Sequence, residues 1–335
     1  MTRCRIVLLA VLGACVAEPA SSTGQQAFMQ NQGTQLHGVQ LVGVQVQGMT
    51  LQGFQLDGAT RHGAALRNVR VERGELVAEL GQATLHGADL VDVHVFALVA
   101  NAATPPQTAQ VEFRITAVTA EDPAYDPTQS GSSFLYAIEQ NVDGSDTWQA
   151  ACGVDNDSRQ VAIPIAATWD DRGNRVESSA LFSFGCTTGV VAKCYRWGYR
   201  PWLTGHGNLA SVHWACTRMA RADYCGNGTS YTRNGTVINL WDNTAPPGPI
   251  ERQGTTPLGM LFEAGWSTSG AVCLSHARWL IGGPVIALGC PGRLLAPGLG
   301  ILGATVCDTT AEALGQSASA QMFNESYLNL IPDPL

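Results

Sequence analysis

The chain has 335 residues, of which 45% are apolar and 14% charged, and a formal net charge of −8. That supplies enough apolar side chains for one large folded domain or two ordinary ones, and it excludes a chain disordered throughout. Binding to a phosphate backbone needs a basic stripe; the acidic balance leaves none, so nucleic acid is excluded as a partner.

Arg3 and Arg5 precede an apolar run at 6–12 that is too short to span a bilayer, and Leu12-Gly13-Ala14-Cys15 follows. The pattern resembles a bacterial lipobox. The resemblance implies a signal peptide at 1–14, lipidation of Cys15 and a membrane partner reached through that lipid, since acyl chains contribute about 0.8 kcal/mol per buried methylene. Val16, where sorting to the inner membrane uses Asp, implies the outer membrane; secretion after cleavage nearby is the alternative. Residues 16–33, rich in Ala, Ser, Thr, Gly and Gln, read as a flexible tether, so 15–33 is lipidated cysteine plus linker.

From Thr34 an aliphatic residue recurs every fifth position, at Leu36, Leu41, Val46, Leu51, Leu56, Leu66, Val71 and Leu76, with Arg61 as the exception. A period of five fits neither a helix nor a strand and marks an internal repeat. Residues 34–98 resemble a degenerate pentapeptide repeat. That implies a short right-handed β-helix with the aliphatic residues inward and Gly38, Gly43, Gly48, Gly53, Gly58 and Gly63 at the corners. Its outward face is mostly Gln and offers no chemistry, so it reads as a rigid spacer or a cap.

Pro105-Pro106 marks a boundary, and 107–335 reads as a β-rich region. Strands are expected where Val111, Phe113 and Ile115 alternate with polar neighbours, where Phe134, Tyr136 and Ile138 do, and at 161–167 and 181–184. The acidic stretches 142–146 and 155–158 lack the ligand spacing of an EF-hand and read as turns. Helices are expected at 187–196 and 208–221; on the second, Val212, His213, Cys216 and Met219 share an inward face opposite Ser211, Arg218 and Arg221. A hairpin around Asn234-Gly235, another turning at Ser269-Gly270 and a short helix at 308–314 follow. The apolar stretch 279–306 is interrupted by Pro284, Pro291, Arg293 and Pro297 and cannot span a membrane.

With Cys4 lost in the leader and Cys15 lipidated, eight cysteines remain: Cys152, Cys186, Cys194, Cys216, Cys225, Cys273, Cys290 and Cys307. An even set in an exported chain reads first as four disulfides of undetermined connectivity. A zinc site built from Cys194, His213, Cys216 and Cys225 lacks a second CxxC, so no metal and no cofactor are expected. A hydrolase would use Cys186 at a helix N-terminus as nucleophile, His213 or His276 as base and Asp223 or Asp242 to orient it. The turn RWGYRPW, holding Arg196, Trp197, Tyr199, Arg200 and Trp202, is the candidate binding element: exposed, it would stack on a glycan or a protein partner; buried, it is core.

The run KCYRWGYRPW at 193–202, followed by HWACTRMARADYC at 213–225 with Ala222, Asp223, Tyr224 and Cys225 at its end, resembles the signature of the ADYC-domain proteins. The resemblance is strongest over 186–240, implies an exported bacterial protein, and supplies no mechanism. The expected architecture is α+β: a short β-helix-like repeat, then a disulfide-stabilised, β-rich α+β domain with two helices. The leading functional expectation is a non-enzymatic envelope lipoprotein that binds a glycan or another envelope protein; the alternative is a cysteine-dependent cell-wall hydrolase or transpeptidase. Intact mass after expression in a bacterial host should show loss of residues 1–14 and gain of acyl chains. Cys15→Ser should abolish the membrane fraction, and unaltered partitioning of this variant would overturn the anchor.

Overall fold

A computed structural model describes residues 34–36, 40–44, 46, 49–101, 103, 106–125, 133–142, 144, 146–203, 205–244, 248–279, 286, 288–290 and 306–328. The leader, lipobox and tether lie outside these residues. Six strands close into an antiparallel barrel. They are β2 (Thr50–Gln55), β8 (Val93–Ala100), β9 (Thr108–Ala120), β10 (Phe134–Asn141), β12 (Ala162–Ile165) and β15 (Leu181–Cys186). β10 pairs with β12, β12 with β15, β15 with β2, β2 with β8, β8 with β9, and β9 returns to β10. Strict alternation makes this possible: Val93, Val95, Ala97 and Val99 are buried on β8 while His94, Phe96 and Leu98 are only partly so. The interior is filled by Phe54, Phe113, Phe182, Phe184 and Tyr136, with Phe54 touching three other rings at centroid distances of 4.9–5.5 Å.

The repeat segment corrects one expectation. A β-helix stacks its coils in parallel, whereas every pairing involving residues 50–100 among the described residues is antiparallel. β5 (Arg67–Glu72), β6 (Glu75–Leu80) and β7 (Ala83–Leu85) form a meander, and the short β3 (Thr60–Arg61) and β4 (Ala64–Ala65) form a hairpin beside β8. The five-residue period survives in the turns, since Gly58, Gly63, Asn68 and Arg73 all have left-handed φ. Of the periodic aliphatics, Leu66 and Leu76 are buried, while Leu41, Val46, Leu51, Leu56 and Val71 are half-buried. Two strands of the segment, β2 and β8, are barrel staves.

The second sheet has the order β1 (Thr34–Leu36), β16 (Thr236–Asp242), β19 (Met322–Tyr327), β17 (Met260–Ser267), β18 (Gly270–Leu274). β16 pairs with β1 and β19, so the hairpin expected across Asn234-Gly235 does not form; the one turning at Ser269-Gly270 does. The small ribbon β13 (Thr168–Trp169) and β14 (Arg175–Val176) and the short β11 (Trp148–Ala150) complete the strands. Helix α2 (Leu209–Arg221) packs on this sheet and on α1 (Val190–Arg196), and α3 (Thr310–Gln316) covers β17 and β18.

The local reasons for these helices are simple. Asn208 caps α2 by accepting from Ser211 N, and Thr309 caps α3 by accepting from Glu312 N. Helix α1 has only Gly189 at its cap, and its first N–H groups are satisfied from afar: Val190 N donates to Gln40 O at 2.9 Å and Val191 N to Leu41 O at 3.1 Å. A Cβ on Gly189 would lie 2.6 Å from Val42 O, so this approach requires glycine. Four disulfides fix the layers: Cys152–Cys186 on the barrel, Cys194–Cys216 between α1 and α2, Cys225–Cys290 after α2, and Cys273–Cys307 between β18 and the approach to α3.

Candidate functional site

The four-residue signature closes helix α2, and each member has a separate task. Ala222 takes left-handed φ 51° and ψ 40° and ends the helix, its N–H returning to the carbonyls of Arg218 and Met219. Asp223 pairs with Arg218 in a bridge whose side chains are 1–2% exposed. It also accepts from Asn227 N at 3.1 Å and Gly228 N at 2.9 Å. Arg218 completes its donors on Thr268 O, Arg172 O and Asn174 Oδ1 at 2.6–3.0 Å. The expected outward face of α2 is thus covered around Arg218, because the loop at 170–174 folds over it; nothing in the local period announces that loop.

Tyr224 stacks on Trp266 at 5.0 Å, donates to Glu263 Oε1 at 2.9 Å and accepts from Arg278 N at 3.0 Å. Glu263 and Arg278 are fully buried and joined at 2.8 Å. Arg278 also donates to Ala220 O and Met219 O at 3.2 and 2.5 Å, satisfying the last turn of α2. Asn324 Nδ2 donates to Glu263 Oε2 at 2.7 Å and Trp266 Nε1 to Asn324 Oδ1 at 2.7 Å, so the network crosses β17 and β19. Cys225 then fixes the turn to Cys290.

Residues 87–280 match the ADYC domain family, and no match was found among the curated proteins or the solved structures. The chain belongs to the ADYC domain family. The matched range begins at the short 3₁₀ turn Gly87–Leu90 and takes in five of the six barrel strands, both first helices and the signature network except for Asn324 and Cys290. Only stave β2 is contributed from outside the ADYC range.

The candidate hydrolase residues are not assembled into a site. Cys186 is bonded to Cys152 with their Cα atoms 5.5 Å apart, so it presents no thiolate. His213 donates from Nε2 to Val191 O at 3.0 Å, sits edge-on to Tyr195 and Trp169, and has a buried, unpartnered Nδ1. Burial lowers its pKa to about 3 against the weaker opposing pull of the Val191 hydrogen bond. His276 reaches Ser326 Oγ at 3.1 Å, Asp223 is committed to Arg218, and Asp242 accepts from Tyr199 Oη and Glu251 N. Cys194 and Cys216 are bonded to each other and Cys225 to Cys290, so the zinc set is likewise dispersed.

The RWGYRPW stretch takes the buried one of its two readings. Arg196, Trp197, Tyr199 and Arg200 are 0–4% exposed, and Trp202 is half-buried. Arg196 meets Glu121 at 3.0 Å and lies 3.7 Å over Tyr125, while Tyr199 donates to Asp242. Trp202 stacks edge-on to Tyr195 and closes on Gly74, where a Cβ would meet the indole at 2.7 Å. The stretch is a core joint that locks the β5–β6 turn against α1, because its charges find buried partners instead of solvent.

An open concavity lies elsewhere, at the barrel rim. A cavity of about 420 Å³ is lined by Met49, Phe96, Gln110, Val111, Glu112 and Asn141 among others. Glu112 contacts His94 Nδ1 at 2.7 Å and accepts from Asn141 Nδ2 at 3.3 Å, and Gln110 donates to Gln55 at 2.6 Å. Alongside, Arg114 pairs with Glu139 and lies 4.4 Å over Trp148. Of these residues only Val111 stood out in the sequence, and as a strand residue, not as part of a site; the available signal for the site was Phe96, an aromatic on the outward phase of an otherwise regular strand.

Two outcomes follow. Asp223→Asn should cost about 3–5 kcal/mol by leaving Arg218 buried without its counter-charge, read as a lower unfolding midpoint, with Arg218→Met in the same chain restoring part of the loss. His213 contributes to a pH dependence with a definite sign. Its folded pKa of about 3 lies below the unfolded 6.5, so the folded state is favoured fully above pH 6.5 and loses stability as pH falls from there toward 3. Thermal midpoints between pH 7 and 4.5 should fall less steeply in His213→Phe than in the parent.

Proposed function

We propose that this ADYC-domain protein is a non-enzymatic module of the bacterial cell envelope, held on the outer membrane through a lipid on Cys15, that binds or braces a glycan or another envelope protein. The observation that carries this reading is the closure of the eight cysteines from Cys152 to Cys307 into four disulfides. Disulfides persist in oxidising compartments, which supports a place outside the cytoplasm. The same closure weighs against a cysteine-dependent hydrolase or transpeptidase, since a nucleophile must be kept as a free thiol.

The charged residues of the signature support the reading from a second side. Arg218, Asp223, Glu263 and Arg278 are buried and paired with one another, so they serve rigidity and present nothing to a substrate. Thiol titration of the mature protein, denatured without reductant, should find no free thiol, and peptide mapping should recover the four pairs above. A free Cys186 would overturn the binding reading in favour of the hydrolase.

A further inference from the structure

The rim cavity adjoins an unfinished strand. β9 runs from Thr108 to Ala120, and its ladder with β8 covers Thr108 to Arg114. Its ladder with β10 covers Phe113 to Ala120 only. Over 108–112, then, β9 has β8 on one side and no strand on the other among the described residues. In an antiparallel pair every second residue directs its N–H and C=O away from its partner, so this stretch presents a short row of donors and acceptors outward. Thr108, Ala109 and Gln110 are exposed. Open edges are ordinarily blocked by lysine, proline or a bulge, and the sequence TAQVE carries none of these.

The cavity opens on this same edge, between Gln110 to Glu112 and the turn after β10 at Val142 and Gly144. Phe96, Val111 and Val142 give it an apolar wall. Among the described residues, Glu112 is its one charged lining residue and Asn141 Oδ1 is buried with no hydrogen-bond partner, so the described polar side offers acceptors. The amides of Gln110 and Asn141 each commit one N–H within the protein, to Gln55 and Glu112.

We propose that this edge receives an extended peptide segment of another protein, added as a strand alongside residues 108–112, with an apolar side chain in the cavity and a neighbouring lysine or arginine at Glu112. Main-chain hydrogen bonds supply the affinity of such strand addition, and the pocket beside the edge supplies its selectivity. The overall negative charge favours a basic partner segment. This inference deepens the binding reading and rests on it, choosing a polypeptide over a glycan.

The test uses the mature, disulfide-intact protein, isotopically labelled for amide NMR, and a blocked peptide of about eight residues alternating valine and lysine, a typical strand length. Amide shifts should concentrate at 108–112 and 140–144 with millimolar or tighter affinity. The same peptide N-methylated at alternate residues keeps its side chains and loses the ladder; it should bind at least about tenfold more weakly. Glu112→Gln should weaken the lysine peptide severalfold and by a larger factor than it weakens a valine-threonine peptide. Equal binding of the N-methylated peptide, shifts elsewhere on the surface, or no shift at all overturns the proposal. So does a neutral chito-oligosaccharide that shifts these residues while the peptide does not. Failure here leaves the thiol titration unaffected, so the loss of this site and the loss of the non-enzymatic reading are separable.

Discussion

Arg278 and Glu263 are both removed entirely from water, and much of the second half of the molecule is arranged to make that tolerable. An isolated buried charge would cost several kcal/mol, and even a buried pair breaks even only when every remaining donor and lone pair is satisfied. Here Arg278 spends its donors on Glu263 and on the final carbonyls of α2, while Glu263 takes further bonds from Tyr224 and Asn324. The end of the helix, two strands and the signature turn are thereby held in one arrangement. Displacing any one of them leaves a charge unpaired in the interior, so the network specifies a geometry more than it adds net stability.

The signature sequence acquires a physical meaning from this. Ala222 must accept a left-handed backbone, Asp223 must neutralise Arg218, Tyr224 must reach Glu263 and Cys225 must meet Cys290. All four point into the protein. A motif dense in cysteine, histidine and aspartate has the composition of an active centre, yet its groups are partnered in ways that remove them from chemistry: thiols as disulfides, imidazole by desolvation, carboxylate by guanidinium.

Much of the fold was legible in the sequence and some of it was not, for identifiable reasons. The alternation at Val111, Phe113 and Ile115 and at Phe134, Tyr136 and Ile138 located β9 and β10, and the patterns at 208–221 and 308–314 announced α2 and α3, because these signals are local, although the cap of α3 is Thr309 and not Asp308. Cysteine parity announced disulfides, while connectivity depended on distances that no local pattern carries. The five-residue period marked turns at Gly58 and Gly63 and inward aliphatics at Leu66 and Leu76, but it put a corner at Gly53, which lies within β2, and period does not encode whether successive strands stack in parallel or fold back. RWGYRPW was ambiguous because aromatics and arginines suit both a sticky loop and a paired core; Glu121 and Asp157, which decide the matter, lie far away in sequence. The rim cavity was invisible since it is made where a long strand outlasts its neighbour, a property of two ladders together.

The segment that caps α1 with the carbonyls of Gln40 and Leu41 also has a mechanical character. Tension applied through the N-terminal segment enters at Thr34, where β1 is the edge strand of the second sheet beside β16. Three paired residues resist it first, and they can be peeled away singly. Only after that does the load arrive at Gln40 to Val42, whose carbonyls hold the start of α1 and the end of β15. The chain thus carries a graded strain relief: a short ladder that yields early, ahead of a joint whose failure would open the contact between barrel and helices.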